Sequence, residues 1–253
     1  MSAELAPDPD LTVLANRYGS DKGSTVLCAH HYTKVYGALL RKARRQPLRL
    51  LEVGLVHGHT QQVLGGALPR MGCPSLLMWS DYLPDATVFG FDIVNFRSLA
   101  NGRVTIFQGD QGNREDLERV AEESGGNFDV IIDDGSHASH HQQISLGVLF
   151  RHLAPGGIYC IEDMHYQPAD MELAGISRTR EFLRELRTGQ TGARIAMEQT
   201  ELVYLANEIR GIRFFDSQSE RWPLGTREDA LAILVKRGSN PWLDIASELG
   251  ISA

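Results

Sequence analysis

Apolar and polar positions alternate along this chain in blocks that predict strands and helices in turn. Short apolar runs of the kind that form buried strands occur at 48–54, 88–93, 103–107, 130–132 and 158–161. The segments between them contain stretches with apolar residues at helical spacing. This alternation predicts an α/β fold in which a mostly parallel sheet is covered by helices.

The remaining pattern predicts elements around this core. They are helices at 11–18, 30–45, 178–187 and 241–249, and strands at 202–205, 212–215 and 230–235. The last two strands are predicted to form an antiparallel pair that closes the sheet. Ser75 is placed to cap a helix, and the helix before the run at 158–161 is predicted to extend to Leu153.

Length and charge restrict the class of protein. The 253 residues are enough for one α/β domain, which we expect to span 1–253, with 1–46 as an amino-terminal arm or lid and 240–253 as a tail or helix. The net charge of −7 and the dispersed charges argue against nucleic-acid binding.

No apolar run is long enough for a membrane span and no signal peptide is evident, so a cytoplasmic protein without a membrane partner is expected. Three cysteines without CxxC spacing are expected to be reduced packing residues.

Two pairs of acids follow two consecutive predicted strands. Asp133 and Asp134 follow the apolar run at 130–132, and Glu162 and Asp163 follow the next one. Because a strand–helix–strand unit pairs in parallel, both pairs should emerge at the same sheet edge. Carboxylates at that spacing repel one another unless a cation compensates them, and oxygen ligands favour Mg²⁺. His137 is placed in the same loop to accept a proton near neutral pH. The alternative is that the acids cap turns or helices.

Other residues at strand ends suggest a nucleoside site. Glu52 and Gly54 end the first strand, where the glycine permits a tight turn and close approach to a ligand. Asp92 ends the second strand and is placed to bind a ribose diol, or to start a turn. Asp110 and Gln111 follow the third strand and either contact an adenine edge or form a turn. Neither GxGxxG nor a phosphate-binding GxxxxGK[ST] motif is present, which favours a nucleoside without a polyphosphate, such as S-adenosylmethionine.

Eight motifs between about residues 18 and 165 also resemble a known family. They are Tyr18-Gly19-Ser20-Asp21-Lys22-Gly23, His31-Tyr32-Thr33-Lys34-Val35-Tyr36, Glu52-Val53-Gly54, Ser75-Leu76-Leu77-Met78-Trp79, Phe91-Asp92-Ile93, Gly109-Asp110-Gln111, Ile132-Asp133-Asp134-Gly135-Ser136-His137 and Ile161-Glu162-Asp163. Together they resemble metal-dependent class I methyltransferases, and within these the group that O-methylates deoxysugars of antibiotics of the mycinamicin and calicheamicin type. The bulky turn at 55–59 departs from the glycine-rich loop usual after the first strand.

The resemblance implies a fold, cofactors and a role for each matching residue. The fold is a Rossmann-like class I methyltransferase with a mostly parallel seven-stranded sheet, an antiparallel closing strand and helices on both faces. The cofactors are S-adenosylmethionine and Mg²⁺ or another divalent cation. The implied residues are His137 as general base, Asp134, Glu162 and Asp163 as metal ligands, and Glu52, Gly54, Asp92, Ile93, Asp110, Gln111 and Tyr32 at the cofactor, with Asp133 as a supporting acid.

The expected reaction is Mg²⁺-dependent methyl transfer to a hydroxyl of a rhamnose-like deoxysugar in antibiotic biosynthesis. The acceptor is a small-molecule sugar, a sugar nucleotide or a glycosylated natural product, and a homo-oligomer is expected. The alternatives are a methyltransferase acting on a catechol or other phenol, a metal-dependent hydrolase, and a binding module with a relic site. A NAD-dependent dehydrogenase is disfavoured because the third glycine of the fingerprint and a Tyr-x-x-x-Lys pair are missing.

Overall fold

A computed structural model describes residues 10–26, 29–56, 72–190, 192–220 and 223–251. Most of the predicted turn at 55–59, Cys28 and residues 1–9 of the predicted arm lie outside the described residues. None of the described helices combines the length and apolarity needed to cross a membrane.

The described residues form a seven-stranded sheet in the order β3-β2-β1-β4-β5-β7-β6. Its strands are β1 (Arg49–Val53), β2 (Thr87–Asp92), β3 (Val104–Gln108), β4 (Phe128–Asp133), β5 (Leu153–Ile161), β6 (Ile209–Phe215) and β7 (Leu231–Lys236). Strands β1 to β5 pair in parallel, whereas β7 runs antiparallel to both of its neighbours. The predicted fold class is therefore confirmed, including the antiparallel closing strand.

Helices cover both faces of the sheet. They are α1 (Leu11–Tyr18), α2 (Thr33–Leu39), α3 (Pro74–Tyr82), α4 (Arg114–Ser124), α5 (Ser139–Leu149), α6 (Thr179–Arg187), α7 (Gln199–Glu208) and α8 (Ile245–Leu249). Short 3-10 turns lie at Arg41–Ala43, Arg97–Leu99 and Phe150–His152.

Alternation along the strands divides the core into two layers. In β1, Leu50 packs with the side chains of α1, α2, α3 and α8, whereas Leu51 packs with those of α4 to α7. In β4, Ile132 joins the first layer and Ile131 the second. This period of two is the ordinary geometry of a strand, and it decides which layer each acid at a strand end enters.

The predicted strand at 202–205 is wrong, because this run lies inside helix α7. A four-residue apolar run fits a strand and a helix equally well. The helix is favoured by a capping box, in which the side chains of Glu198 and Glu201 each accept a hydrogen bond from the backbone of the other residue. Arg114 also forms a two-pronged ion pair with Glu201 and so links the starts of α4 and α7.

Three predicted helix boundaries are also corrected. Ser75 is not a cap: Cys73 is the N-cap of α3, and Ser75 lies buried in its first turn behind a proline. Helix α2 starts only at Thr33, because the φ of +61° at His31 interrupts a helix. Leu153 does not continue α5 but begins β5, where it pairs with β4.

Candidate functional site

The site lies at the carboxyl ends of β1, β4 and β5, where the strand order reverses between β1 and β4. In open parallel sheets ligands bind at such a switch point. Asp133 on β4 stands opposite Val53 on one side and Ile161 on the other. The acids that follow β4 and β5 therefore reach the same edge, as the sequence predicted.

Close packing fixes the frame of this edge. Gly54 has a φ of +84°, and a Cβ atom there would collide with the backbone carbonyl of Asp134. The N–H of Asp134 in turn donates a hydrogen bond of 2.8 Å to the carbonyl of Val53. Glycine is required here because its backbone must be left-handed and must approach the neighbouring loop closely.

A lysine that the sequence analysis did not select lies in the middle of the acids. The Nζ atom of Lys22 is 3.3 Å from Glu52 Oε1, donates a 3.0 Å hydrogen bond to Glu162 Oε2, and donates another to Asp134 Oδ2. Its side chain is 1% exposed. Burial lowers the pKa of Lys22, but these three acids, with a smaller effect of Asp21, outweigh burial and raise it well above its ordinary value. The side chain is therefore an ammonium that compensates buried carboxylates.

Two tyrosines from the same amino-terminal region hold the acids after β5. Tyr36 OH donates a 2.6 Å hydrogen bond to Glu162 Oε1, and Tyr32 OH donates a 2.8 Å bond to Asp163 Oδ1. His30 Nε2 lies 3.5 Å from Asp163 Oδ2. One side of the acid cluster is therefore enclosed by side chains from the amino-terminal region, those of Lys22, His30, Tyr32 and Tyr36.

His137 faces the acids from the loop after β4. It has a φ of +61°, and one ligand atom from each of Asp134, His137 and Asp163 lies within 4.8 Å of the others. Its Nδ1 is buried and has no hydrogen-bond partner within the described part of the chain. Burial lowers the pKa of His137, against an opposing effect of Asp163, so the neutral imidazole is favoured at neutral pH.

Glu162 is more strongly engaged than the other two predicted metal ligands. Both of its carboxylate oxygens accept hydrogen bonds, one from Tyr36 and one from Lys22. Burial raises the pKa values of Glu162 and Asp134 despite the nearby ammonium of Lys22. Buried carboxylates with raised pKa values gain most from a cation, and oxygen donors suit Mg²⁺. The donor set therefore fits a hard divalent ion.

Asp133 points the other way, into the layer of α4 to α7. Its carboxylate accepts hydrogen bonds from Gln111 Nε2 at 2.6 Å, from Tyr159 OH at 3.1 Å, and from the hydroxyl of Ser145. Burial raises the pKa of Asp133 to about 6, and these donors oppose the rise. Gln111 also accepts a 3.0 Å hydrogen bond from the N–H of Ser136 through its Oε1. Its amide therefore lies inside the protein and braces the loop that carries His137.

The other predicted cofactor residues lie along the ends of β1, β2 and β3. Asp92 accepts hydrogen bonds from the N–H groups of Leu55 and Val94, at 2.9 and 2.8 Å. Ile93 is 61% exposed. Asp110 Oδ1 accepts a 2.8 Å hydrogen bond from the N–H of Gly112, which is the geometry of the turn that the sequence offered as the alternative for this residue. A cleft of about 640 Å³ opens beside Asp110 and is also lined by His140 and His141.

The sequence held one signal for the missed residues. Lys22 and Tyr36 had no predicted role, although both lie in motifs that carry the family resemblance, beside Tyr32, which was predicted at the cofactor. No local pattern marks Lys22, because its partners lie 112 and 140 residues away in the chain.

The fold is that of the class I S-adenosylmethionine methyltransferases. MycE methyltransferase from the mycinamycin biosynthetic pathway, solved with Mg, SAH and mycinamycin VI, superposes with a TM-score of 0.65 at 27% identity over 93% of this chain and 57% of that one. No protein-family model matches the chain.

Curated relatives of similar sequence are named as sugar O-methyltransferases. Mycinamicin VI 2''-O-methyltransferase of Micromonospora griseorubida is 38% identical over 156 residues, which are 62% of this chain and 36% of the relative. L-olivosyl-oleandolide 3-O-methyltransferase of Streptomyces antibioticus is 43% identical over 155 residues, 61% of this chain and 37% of the relative. The matched segment thus spans little more than a third of the length of these relatives.

Proposed function

We propose that this chain transfers a methyl group from S-adenosylmethionine to a hydroxyl of a deoxysugar on a natural product, with Mg²⁺ or another divalent cation in the acid cluster. The observation that carries the proposal is the convergence of Asp134, His137 and Asp163 at the switch point of a class I methyltransferase sheet. The relatives named as sugar O-methyltransferases favour this reaction over a metal-dependent hydrolase.

Asp134, Glu162 and Asp163 would hold the cation. A bound divalent ion supplies Lewis acidity, which lowers the pKa of an acceptor hydroxyl and fixes its oxygen. His137 acts as general base: its imidazole takes the hydroxyl proton while the new C–O bond forms and the sulfonium C–S bond breaks. The leaving sulfide becomes neutral, so the departing group needs no acid.

For the cofactor we propose Glu52, Gly54, Asp92, Ile93, Asp110, Gln111 and Tyr32. Gly54 allows close backbone approach, and Asp92 lies at the carboxyl end of β2, where a ribose diol binds in doubly wound sheets. Gln111 and Tyr32 contribute indirectly, by positioning other groups of the site. Gln111 bonds to the loop that carries His137, and Tyr32 bonds to the carboxylate of Asp163.

The segment 164–177, which follows β5, supports a finished glycoside as acceptor rather than a sugar nucleotide. It exposes Tyr166, Met171 and Leu173 by 45%, 38% and 52%, and the ring of Tyr166 lies 6.2 Å from that of His137. The segment contains two acids and no lysine or arginine. A diphosphate is normally bound by cationic side chains, whereas an apolar aglycone packs on apolar ones.

The test is transfer of a labelled methyl group from S-adenosylmethionine to matched acceptors. A 6-deoxyhexosyl macrolide, the corresponding nucleotide-linked deoxysugar and a catechol are compared, each with Mg²⁺ and with EDTA. We expect Mg²⁺-dependent labelling of the glycoside. Preferential labelling of the nucleotide sugar or the catechol would contradict the proposed acceptor, and failure to bind S-adenosylmethionine would contradict methyl transfer itself. The expected homo-oligomer and cytoplasmic location remain predictions, and light scattering tests the first.

A further inference from the structure

Lys22 contacts carboxylates on both sides of the site. Glu52, at the end of β1, belongs to the proposed cofactor set, whereas Asp134 and Glu162 belong to the proposed metal set. The alternation of side chains along β1 and β5 explains how one lysine reaches both sets, since Glu52 and Glu162 both point into the layer that contains α1 and α2. The lysine comes from the loop that joins these two helices.

The position of Lys22 is fixed by its backbone. The N–H of Thr33 donates a 3.0 Å hydrogen bond to the carbonyl of Lys22, and the N–H groups of His30 and His31 bond to the carbonyls of Asp21 and Gly23 at 2.8 and 3.0 Å. These backbone hydrogen bonds, made by Lys22 and by the residues on either side of it, fix the point from which the flexible side chain extends. The contacts with the acids are therefore a built feature of the fold.

The ammonium uses the oxygen atoms that a cation would need. It bonds to Asp134 Oδ2 and Glu162 Oε2, and the other oxygen of Glu162 is held by Tyr36. Asp163 is bound separately, by Tyr32 and His30. A divalent ion that coordinated Asp134 Oδ2 and Glu162 Oε2 would take the place of the Lys22 ammonium at these two atoms.

We propose that Lys22 is a positioning residue that holds Asp134 and Glu162 together in the metal-free protein and is displaced from them when a divalent cation binds. The inference rests on the proposed function, because it assumes that these acids bind metal. Glu52, 3.3 Å from the ammonium, is the carboxylate that retains the lysine after displacement. The lysine thus prevents repulsion in the empty cluster, and it also weakens metal binding because the ion must compete with it.

The experiment is calorimetric titration of Mg²⁺ into the cofactor-free full chain. For Lys22→Met we expect Mg²⁺ affinity about tenfold or more above that of the unsubstituted protein, since a neighbouring positive charge has been removed. Lys34→Met is the matched control: it removes the same charge from the same region, but Lys34 is exposed and its Nζ donates a 2.7 Å hydrogen bond to the neutral Gln218 Oε1. Its affinity should be unchanged.

A second variant separates contact from net charge. Lys22→Met with Glu52→Gln removes one positive and one negative charge, so the net charge of the cluster is kept while the competitor is gone. We expect this variant also to bind Mg²⁺ more tightly than the unsubstituted protein. If Lys22→Met proves unstable without metal, the double variant supplies the measurement, and Mg²⁺ should raise the melting temperature of Lys22→Met more than that of the unsubstituted protein.

The outcomes distinguish this inference from the proposed function. Equal or weaker Mg²⁺ affinity in folded Lys22→Met, or an unchanged affinity in the double variant, would overturn the inference while the metal-dependent reaction still stood. No binding of any divalent cation by the unsubstituted protein would overturn the metal-dependent function and this inference with it.

Discussion

Asp133 and Asp134 are consecutive residues of the same type, yet they lie in two different environments. Asp133 is enclosed by neutral donors from Gln111, Ser145 and Tyr159. Asp134 belongs to a charged cluster in which the ammonium of Lys22 compensates several carboxylates. The change of direction from one residue to the next at the end of β4 places one acid in each layer of the protein.

The difference indicates two ways of burying a carboxylate. Fixed neutral donors make a permanent environment, which braces the loop of His137 through Gln111. In the cluster of Asp134, by contrast, the compensating ammonium of Lys22 can be exchanged for a divalent ion, so these carboxylates can take part in chemistry. We infer that Asp133 contributes mainly to stability and Asp134 mainly to catalysis, and the following predictions test that division.

The largest expected effect is on turnover. Asp134→Asn should lower kcat/KM by about 10³-fold or more, because loss of a metal ligand removes several kcal/mol of transition-state stabilisation. The metal-free melting temperature should stay the same or rise, since repulsion in the cluster is reduced. Methyl-transfer kinetics and thermal unfolding measure the two effects. A comparable loss of turnover in a folded Asp133→Asn variant would contradict the division between the two acids.

Loss of the proposed base should have the next largest effect. His137→Gln should lower kcat by about 10²- to 10⁴-fold while cofactor binding is retained. Because burial lowers the pKa of His137, its neutral, proton-accepting form persists below the ordinary histidine range. The methyl-transfer rate of the unsubstituted protein should therefore fall on the acid side only below about pH 6.5. An acid limb centred well above that pH would count against His137 as the base.

A smaller effect is expected on folding. Asp133→Ala leaves the donors of Gln111, Ser145 and Tyr159 without their acceptor, so the free energy of unfolding should fall by about 3 kcal/mol or more. Denaturant unfolding measures the change. The exposed Asp170→Ala is the control and should alter stability by less than about 0.5 kcal/mol. Equal losses in the two variants would show that the Asp133 network is not stabilising.

The smallest effect is a pH dependence of stability. Burial raises the pKa of folded Asp133 to about 6, above its value in the unfolded chain, so the folded state binds the proton more tightly. This contribution is complete below about pH 4 and is lost as the pH rises through about 6, by on the order of 3 kcal/mol. Unfolding curves from pH 4 to 7 should show this contribution in the unsubstituted protein, and Asp133→Asn should lack it. An identical pH dependence in both proteins would contradict the shift.

The sequence predicted the parts of the site that local pattern determines. Apolar runs ending in Asp133-Asp134 and Glu162-Asp163 were enough to place these acids at one edge, because parallel pairing follows from the strand–helix–strand order. Their separate environments were only partly predictable. That Asp133 supports the site followed from the family resemblance, but its donors come from β5, α5 and the loop after β3.

Other features depended on tertiary contacts that no local pattern carries. Lys22 reads as a solvated loop residue until helices α1 and α2 are packed against the sheet, when its side chain becomes buried. The run at 202–205 reads as a strand until the capping box at Glu198 and Glu201 is considered. For Lys22, the acids that bury its side chain lie far away in the sequence. For the run at 202–205, the deciding cap residue, Glu198, lies four residues before the run begins.

The left-handed backbone at His137 and Asp163, with φ of +61° and +54°, has a consequence for how this protein can evolve. Histidine, aspartate and asparagine tolerate that conformation better than most other residues, so random mutation at either position must satisfy the backbone as well as the chemistry. The segment 164–177 carries no such double requirement at its exposed Tyr166, Met171 and Leu173. Libraries aimed at new acceptors should therefore recombine this segment between relatives and leave the rim of the sheet unchanged.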